Sequence, residues 1–239
     1  MRSPGSTRTL PTKEGKGMTA DAMNAMSERY LDLVLDGKRQ AAMDYVLGLI
    51  EQGVNIRDIY LGVFQPALYE VGRLWQENVI SVAKEHYCTA VTQSIISRIY
   101  PHVFSARHNG LIMVGCCVQD ELHEIGIRMV CDFFEMDGWD THYLGANNPV
   151  EGVVDFVHEK KAHVLGVSVT MTFHLDKARA LIGSVRQAMS ERVRILVGGY
   201  PFSRDPDLAR EMGADACVAR GEMAVNVARS LVGAGEPVR

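Results

Sequence analysis

The sequence predicts an α/β chain in two parts. An N-terminal four-helix bundle is followed by a doubly wound, five-stranded parallel sheet of flavodoxin or Rossmann-like type. Three observations predict this. Apolar residues between positions 19 and 106 recur at helical spacing, as amphipathic helices require. From Leu111 onward, short apolar runs alternate with helical stretches. That is the pattern of strands buried on both faces and joined by crossover helices. Between the two parts lies the polar, glycine-ended linker Arg107-His108-Asn109-Gly110.

Residues 1–18 are rich in Gly, Ser, Thr, Lys and Pro and are expected as a disordered tail. Thr19 caps a first helix that carries Met23, Met26, Tyr30, Leu33 and Val34 and stops at Asp36-Gly37. A second helix runs from Lys38 to Glu51 and ends at Gly53. Asn55 caps a third, with Ile59, Val63, Leu68 and Val71 on one face, and Pro66 should bend it. The fourth runs from Ser81 to Tyr100 and is stopped by Pro101. Residues 19–106 thus form a cap domain and residues 110–239 a sheet domain. The expected strands are Leu111–Val118, Thr141–Leu144, Val164–Thr170, Arg194–Gly198 and Ala216–Ala219. Helices are expected at Ile125–Asp137, Val150–Lys160, Asp176–Met189, Pro206–Met212 and Met223–Val232.

Composition narrows the function. Of 239 residues, 47% are apolar and 23% charged, ordinary for a globular protein. The net charge of −4 and the lack of a basic run argue against direct DNA binding. No apolar stretch reaches the roughly 18 residues that span a bilayer, so no membrane partner is expected. The N-terminus lacks the apolar core of a signal peptide. The five cysteines show no CxxC spacing and read as reduced, cytoplasmic thiols. Cys116 and Cys117 should face opposite sides of one strand.

The first strand runs into Glu121-Leu122-His123-Glu124-Ile125-Gly126. A histidine between a parallel strand and its helix lies at the carboxyl edge of the sheet, where such folds bind ligands. A histidine alone there is usually a polar loop residue. Two further elements change the balance. Ser168-Val169-Thr170 follows Gly126 after 41 residues, and Gly198-Gly199 follows after 27 more. Each ends an apolar run, so all three elements can converge on one ligand. Gly198-Gly199 could also suggest a dinucleotide loop, but no GxGxxG follows the first strand.

These residues resemble the cobalamin-binding domains of methionine synthase, mutases, corrinoid methyl carriers and B12 photoreceptors. Their pattern is Asp-x-His-x-x-Gly, a Ser-x-Leu or Ser-x-Thr element, then Gly-Gly. The resemblance implies that His123 is the lower cobalt ligand and that Glu121, standing where most members have Asp, orients its ring. It also implies that Leu122, Gly126, Ser168, Val169, Thr170, Gly198 and Gly199 contact the cofactor, the glycines lining the slot for its nucleotide tail.

A second set lies in the bundle. Trp75, nine residues, then Glu85-His86 resembles the Wx9EH signature of the B12-dependent photoreceptors. An isolated tryptophan is more often core packing, and a Glu-His pair more often a solvated helix face. The resemblance implies instead that Trp75, Glu85 and His86 cover an adenosyl group on the upper face. Two departures stand out. Gln76 occupies a position where photoreceptors can carry a second cobalt-binding histidine, and the tail is too short for their helix-turn-helix domain.

The sequence-based expectation is a stand-alone, non-enzymatic cobalamin light sensor that prefers adenosylcobalamin and signals through a homo-oligomer or a separate output protein. The alternative is a corrinoid methyl carrier of a methyltransferase system; a plain storage module is a third reading. A bilin such as biliverdin, if present as a second chromophore, would be noncovalent, because no cysteine lies in a recognisable attachment motif.

Overall fold

The computed structural model describes residues 19–104 and 108–233. The tail expected over 1–18 and Arg107 of the linker lie outside the described residues. The helical part comprises α1 (Ala20–Leu35), α2 (Arg39–Glu51), α3 (Ile56–Ile59), α4 (Gln65–Gln76) and α5 (Val82–Ile99). The two expected caps, Thr19 and Asn55, form, and Ser81 caps α5 as well. The side chains of Thr19, Asn55 and Ser81 accept from the backbone N–H groups of Ala22, Arg57 and Lys84. Each satisfies a donor that the first helical turn leaves free.

The third expected helix is not a single α-helix. A π-helical turn, Tyr60–Phe64, joins α3 to α4 just before Pro66. Proline cannot donate an N–H or continue a regular α-helical register without a clash. The wider turn moves the mismatch into one local bulge. The π turn is pressed against α1. Ser27 donates to the Val63 carbonyl at 3.1 Å, and a Cβ on Gly62 would come within 1.8 Å of Met23 Cε.

The sheet is parallel, in the order β2-β1-β3-β4-β5. Its strands are β1 (Ile112–Cys117), β2 (Asp140–Tyr143), β3 (Val164–Ser168), β4 (Arg194–Gly198) and β5 (Ala216–Val218). The helices between them are α6 (Ile125–Met136), α7 (Val150–Lys160), α8 (Leu175–Met189), α9 (Tyr200–Arg204), α10 (Asp207–Glu211) and α11 (Ala224–Val232). The short helix α9 was not anticipated; Pro201 stands in its first turn, a position that suits proline.

Strand alternation sorts the core. Met113, Cys117 and Leu196 join the bundle, α6 and α11 in one buried cluster. Val114, Cys116, Leu165, Val167, Ile195 and Val197 face α7, α8, Phe202 and Met212 in the other. Cys116 and Cys117 therefore do face opposite sides, and burial pushes the Cys116 thiol up to about 12.

One stripe of α6 fastens the sheet to the bundle. Glu124, at its N-cap, accepts from Gln93 Nε2 at 2.8 Å. One turn on, Arg128 donates to Ser97 Oγ at 2.9 Å. After another turn, Asp132 accepts from Tyr60 OH at 2.6 Å. This spacing of four residues is the helical repeat that puts side chains on one face.

Asp132 is 5% exposed. Burial raises its pKa to about 6 against the lowering effects of the Tyr60 hydrogen bond and Arg128; nearby Glu135 also raises it. A carboxyl raised in the folded state stabilises fully below its ordinary pKa of about 4 and loses that contribution as pH climbs through about 6. Asp132→Asn retains an acceptor for Tyr60 without the charge. It should raise stability at pH 7.5 by about 1–3 kcal/mol and flatten the profile between pH 4 and 6. Denaturant titrations across that range check this. A less stable variant at pH 7.5 contradicts it.

Candidate functional site

Parallel pairing brings the three sequence motifs together. Cys117 pairs with Ser168 and Ser168 with Gly198, so β1, β3 and β4 end side by side. The Val169 N–H donates to the Gly198 carbonyl at 3.0 Å. Gly199 has φ +108°, and a Cβ there would lie 1.9 Å from the Val169 oxygen. Only glycine fits a left-handed backbone at so close an approach.

The centre of the arrangement is Glu121, which is fully buried. Its Oε1 accepts from the His123 backbone N–H at 3.0 Å and from the ring Nδ1 at 2.5 Å. Its Oε2 accepts from the backbone N–H groups of Thr170 and Met171, each at 2.9 Å, and from His174 Nδ1 at 3.1 Å. Burial disfavours the charge. The hydrogen bonds from His123, Met171 and His174 outweigh it and hold the carboxyl well below the usual range. The same hydrogen bond raises the pKa of His123; burial opposes this, and the charges of Glu121 and then Glu85 add to it.

An ionised carboxylate only accepts, so His123 presents Nδ1–H to it and Nε2 lies on the other side of the ring, able to bind a metal once its proton has left. The His123 side chain is half exposed. The result is an imidazole at the sheet edge, aimed by a buried carboxylate: the arrangement of a histidine prepared to bind a metal. Among the described residues, no group of three or more His, Cys, Asp or Glu side chains could hold an ion unaided. A metal at His123 must arrive with most of its ligands already in place.

The surroundings leave room for a ligand beside the histidine. A Cβ on Gly126 would meet nothing within 4 Å, so the start of α6 is open beside the histidine. Leu122 is exposed in the same loop. Loops after β1 and β2 are tied by Asn147, whose side chain accepts from Asp120 N–H, and by Asn148, which donates to the carbonyls of Cys117 and Gly145. A cavity of about 210 Å³, lined by Tyr100, Arg128, Asp132, Glu135 and Tyr143 among others, contains none of these motif residues.

The bundle set is brought to the site only in part. Glu85 lies close enough for its charge to act on the His123 ring. It accepts from Thr89 Oγ1 at 2.9 Å and pairs with His86 Nδ1 at 2.6 Å. The His86 side chain is 74% exposed. Trp75, on α4, is 38% exposed. Sequence reasoning missed His174 and Glu124. Glu124 joins the site loop to both the bundle and the sheet, since Tyr143 OH donates to its second oxygen at 2.8 Å. Neither residue belongs to a motif. Only the folded loops place them.

Two models described as B12 binding domains match the chain, one over residues 26–100 and one over 111–228. Together they span most of the chain, which belongs to the family of B12-binding domains and binds a corrinoid of that kind. Among its relatives is dimethylamine corrinoid protein 2 of Methanosarcina acetivorans. It is 27% identical over 218 residues, covering 87% of this chain and 98% of that protein. A corrinoid protein of Desulfitobacterium hafniense is 22% identical over 206 residues, covering 84% and 94%. The monomethylamine corrinoid protein of Methanosarcina barkeri shares the fold, with a TM-score of 0.77 at 18% identity over 87% of this chain and 98% of that one. So does the methanol:cobalamin methyltransferase complex of the same organism, with a TM-score of 0.51 at 16% identity over 94% and 88%.

These relatives overturn the light-sensing expectation. They are named as corrinoid proteins, and the sensor reading had rested on Trp75 with Glu85-His86. Among the described residues, no helix is long and apolar enough to cross a membrane.

Two glycines should separate folding from binding. Gly199→Ala meets both the positive φ and the Val169 oxygen, and should lose at least about 2 kcal/mol of stability. Gly126→Ala meets nothing; it should fold as the parent does and take up cobalamin less well. Chemical denaturation and a cobalamin titration of each variant measure this. A destabilised Gly126→Ala protein, or a Gly199→Ala protein of parental stability, contradicts it.

Proposed function

We propose that this chain is a corrinoid methyl carrier that shuttles methyl groups within a methyltransferase system. The single observation that carries the site reading is His123, held through Nδ1 by a buried, ionised Glu121 so that Nε2 lies on the opposite side of the ring. The names of the relatives support the carrier role, and one solved neighbour is a methyltransferase complex.

In this reading His123 is the lower axial ligand of cobalt, and the sheet domain over residues 110–239 holds the corrinoid. When bound, the corrinoid supplies a cobalt centre able to accept a methyl group and hand it on. Glu121 fixes the tautomer of His123 and makes the ring a better donor, because a hydrogen bond to an anion leaves more electron density on the distal nitrogen. Gly126, Ser168, Val169, Thr170, Gly198 and Gly199 accommodate the nucleotide tail, and Leu122 supports the macrocycle edge. The helical cap would cover the bound corrinoid, with Trp75 as an apolar contact and Glu85, whose charge reaches the His123 ring, beside it.

A carrier must expose that face to an enzyme, so the partner is a methyltransferase in place of the separate output protein expected of a sensor. The upper group is then methyl. The adenosyl preference and a second bilin chromophore draw no support from the relatives' names.

The test uses the whole protein loaded with cobalamin and reduced under anoxic conditions. A methylamine methyltransferase with its methylated amine should methylate it, and methylation should fall at least about 10-fold in His123→Ala. Absorption spectra follow both. Loaded protein that stays unmethylated by every methylamine and methanol methyltransferase offered contradicts the carrier reading. Unchanged cobalamin affinity and spectrum in His123→Ala contradict the ligand assignment.

A further inference from the structure

We propose that the cavity between α6, the edge strand β2 and the end of the bundle is a second binding site, and that it takes a small protonated amine. The inference does not depend on the carrier reading.

The sequence brings the lining together by simple repeats. Arg128, Asp132 and Glu135 follow one another on α6 at steps of four and three residues, the spacing of neighbours on one helix face. Thr141 and Tyr143 alternate onto one face of β2. Tyr100, just past α5, completes the wall of a cavity of about 210 Å³. One water claims only about 30 Å³ in the liquid, so a single water does not fill this space.

The charge in the wall is not balanced. Glu135 is 4% exposed, and its Oε1 has no hydrogen-bond partner among the described residues. Burial raises its pKa, as it does that of Asp132. Burial also raises the pKa of Tyr100, and the charges of Glu135 and Asp132 raise it further. Both carboxylates therefore act on the space that Tyr100 closes. The one cation that lines the cavity is Arg128. Its guanidinium already donates to Ser97 Oγ and lies 6.0 Å from the centre of the Tyr143 ring. Buried polar groups in folded proteins normally have partners, and an orphaned carboxylate oxygen marks a missing donor.

The chemistry of the wall selects the kind of donor. A metal ion suits it poorly. Among the described residues, no group of three or more His, Cys, Asp or Glu side chains could hold one. Cys131 also lines the cavity, but burial and then the charge of Asp132 hold its thiol well above the ordinary value, so it offers no thiolate. An ammonium group brings its own N–H donors and a positive charge. Its alkyl part suits the aromatic walls of Tyr100 and Tyr143, whose rings also attract cations. The torsion that turns a glutamate carboxylate is broad and two-fold, so a small rotation presents either oxygen of Glu135 to a guest. Tyr143 is at the same time the donor to Glu124, so the cavity adjoins the hydrogen bond that ties the histidine loop to the sheet.

The experiment uses the whole cofactor-free protein with ¹³C-labelled tyrosine rings at pH 8, above the value of about 6 for Asp132. Ethylammonium chloride is titrated against sodium chloride at constant ionic strength, and the signals of Tyr100 and Tyr143 are followed by nuclear magnetic resonance. Tyr100→Phe and Tyr143→Phe identify those signals. A guest of three non-hydrogen atoms binds at about millimolar concentration at best, so the titration extends well past that range. Both signals should shift and saturate. Tetramethylammonium, with the charge but no N–H donor, should bind at least about 10-fold more weakly, and so should ethylammonium to Glu135→Gln. Glu159→Gln removes an exposed carboxylate on α7 and should bind as the parent does.

Shifts that never saturate mean that the cavity holds water only, and they overturn the proposal. Equal binding of tetramethylammonium, or saturable binding of magnesium in place of the amine, overturns the choice of guest. Parental affinity in Glu135→Gln, or an equal loss in Glu159→Gln, overturns the site. If Glu135→Gln does not fold, Asp132→Asn takes its place: weaker binding supports the site, and parental affinity overturns it.

Discussion

A buried carboxylate is costly unless its charge is met by hydrogen bonds. In this protein the whole ligand edge of the sheet depends on meeting that requirement at Glu121. Three of the five donors come from the segment after β3 and two from His123 itself. The loop after β1 and the loop after β3 are thereby folded around one anion, and neither can take up its conformation without the other. The pairing of Ser168 with Gly198 then carries the arrangement to β4. A ring that is half exposed is thus anchored through Nδ1 to a fully buried carboxylate.

The same helix that begins beside the histidine fastens the cap. Glu124, Arg128 and Asp132 offer one polar stripe to Gln93, Ser97 and Tyr60. Beneath this stripe an apolar cluster runs without a break from Tyr30 and Phe64 in the bundle to Phe133 and Trp139 in the sheet part. Apolar burial supplies most of the attachment, and the polar stripe sets its register. Glu124 adjoins His123 and also accepts from Tyr143. The position of the cap is therefore mechanically linked to the loop that holds the histidine. In a methyl carrier this link joins access at the upper face to ligation at the lower one.

Much of this was legible in the sequence. Helical spacing and the caps at Thr19 and Asn55 marked the bundle, and five apolar runs marked the sheet to within a residue or two at most ends. The order of Glu121-x-His123, Ser168 and Gly198-Gly199 showed that strand ends would converge. What escaped depends on contacts between distant segments. The π turn before Pro66 answers a local clash and has no periodic signature. His174 resembles any loop histidine until Glu121 stands 3.1 Å away. The spacing of Trp75 and Glu85-His86 suggested a light sensor. Spacing along one chain could not decide between a sensor and a carrier, and the relatives are named as corrinoid proteins.

The most direct measurement of the central claim concerns the nitrogen beneath the cobalt. Protein grown with ¹⁵N-histidine and otherwise natural nitrogen is loaded with unlabelled cobalamin, reduced to the paramagnetic Co(II) state and examined by electron paramagnetic resonance. If His123 ligates through Nε2, the nitrogen splitting of the cobalt lines changes from a triplet to a doublet on labelling, and His123→Ala removes that doublet. A triplet that survives labelling shows that the nitrogen belongs to the cofactor's own base and contradicts the account.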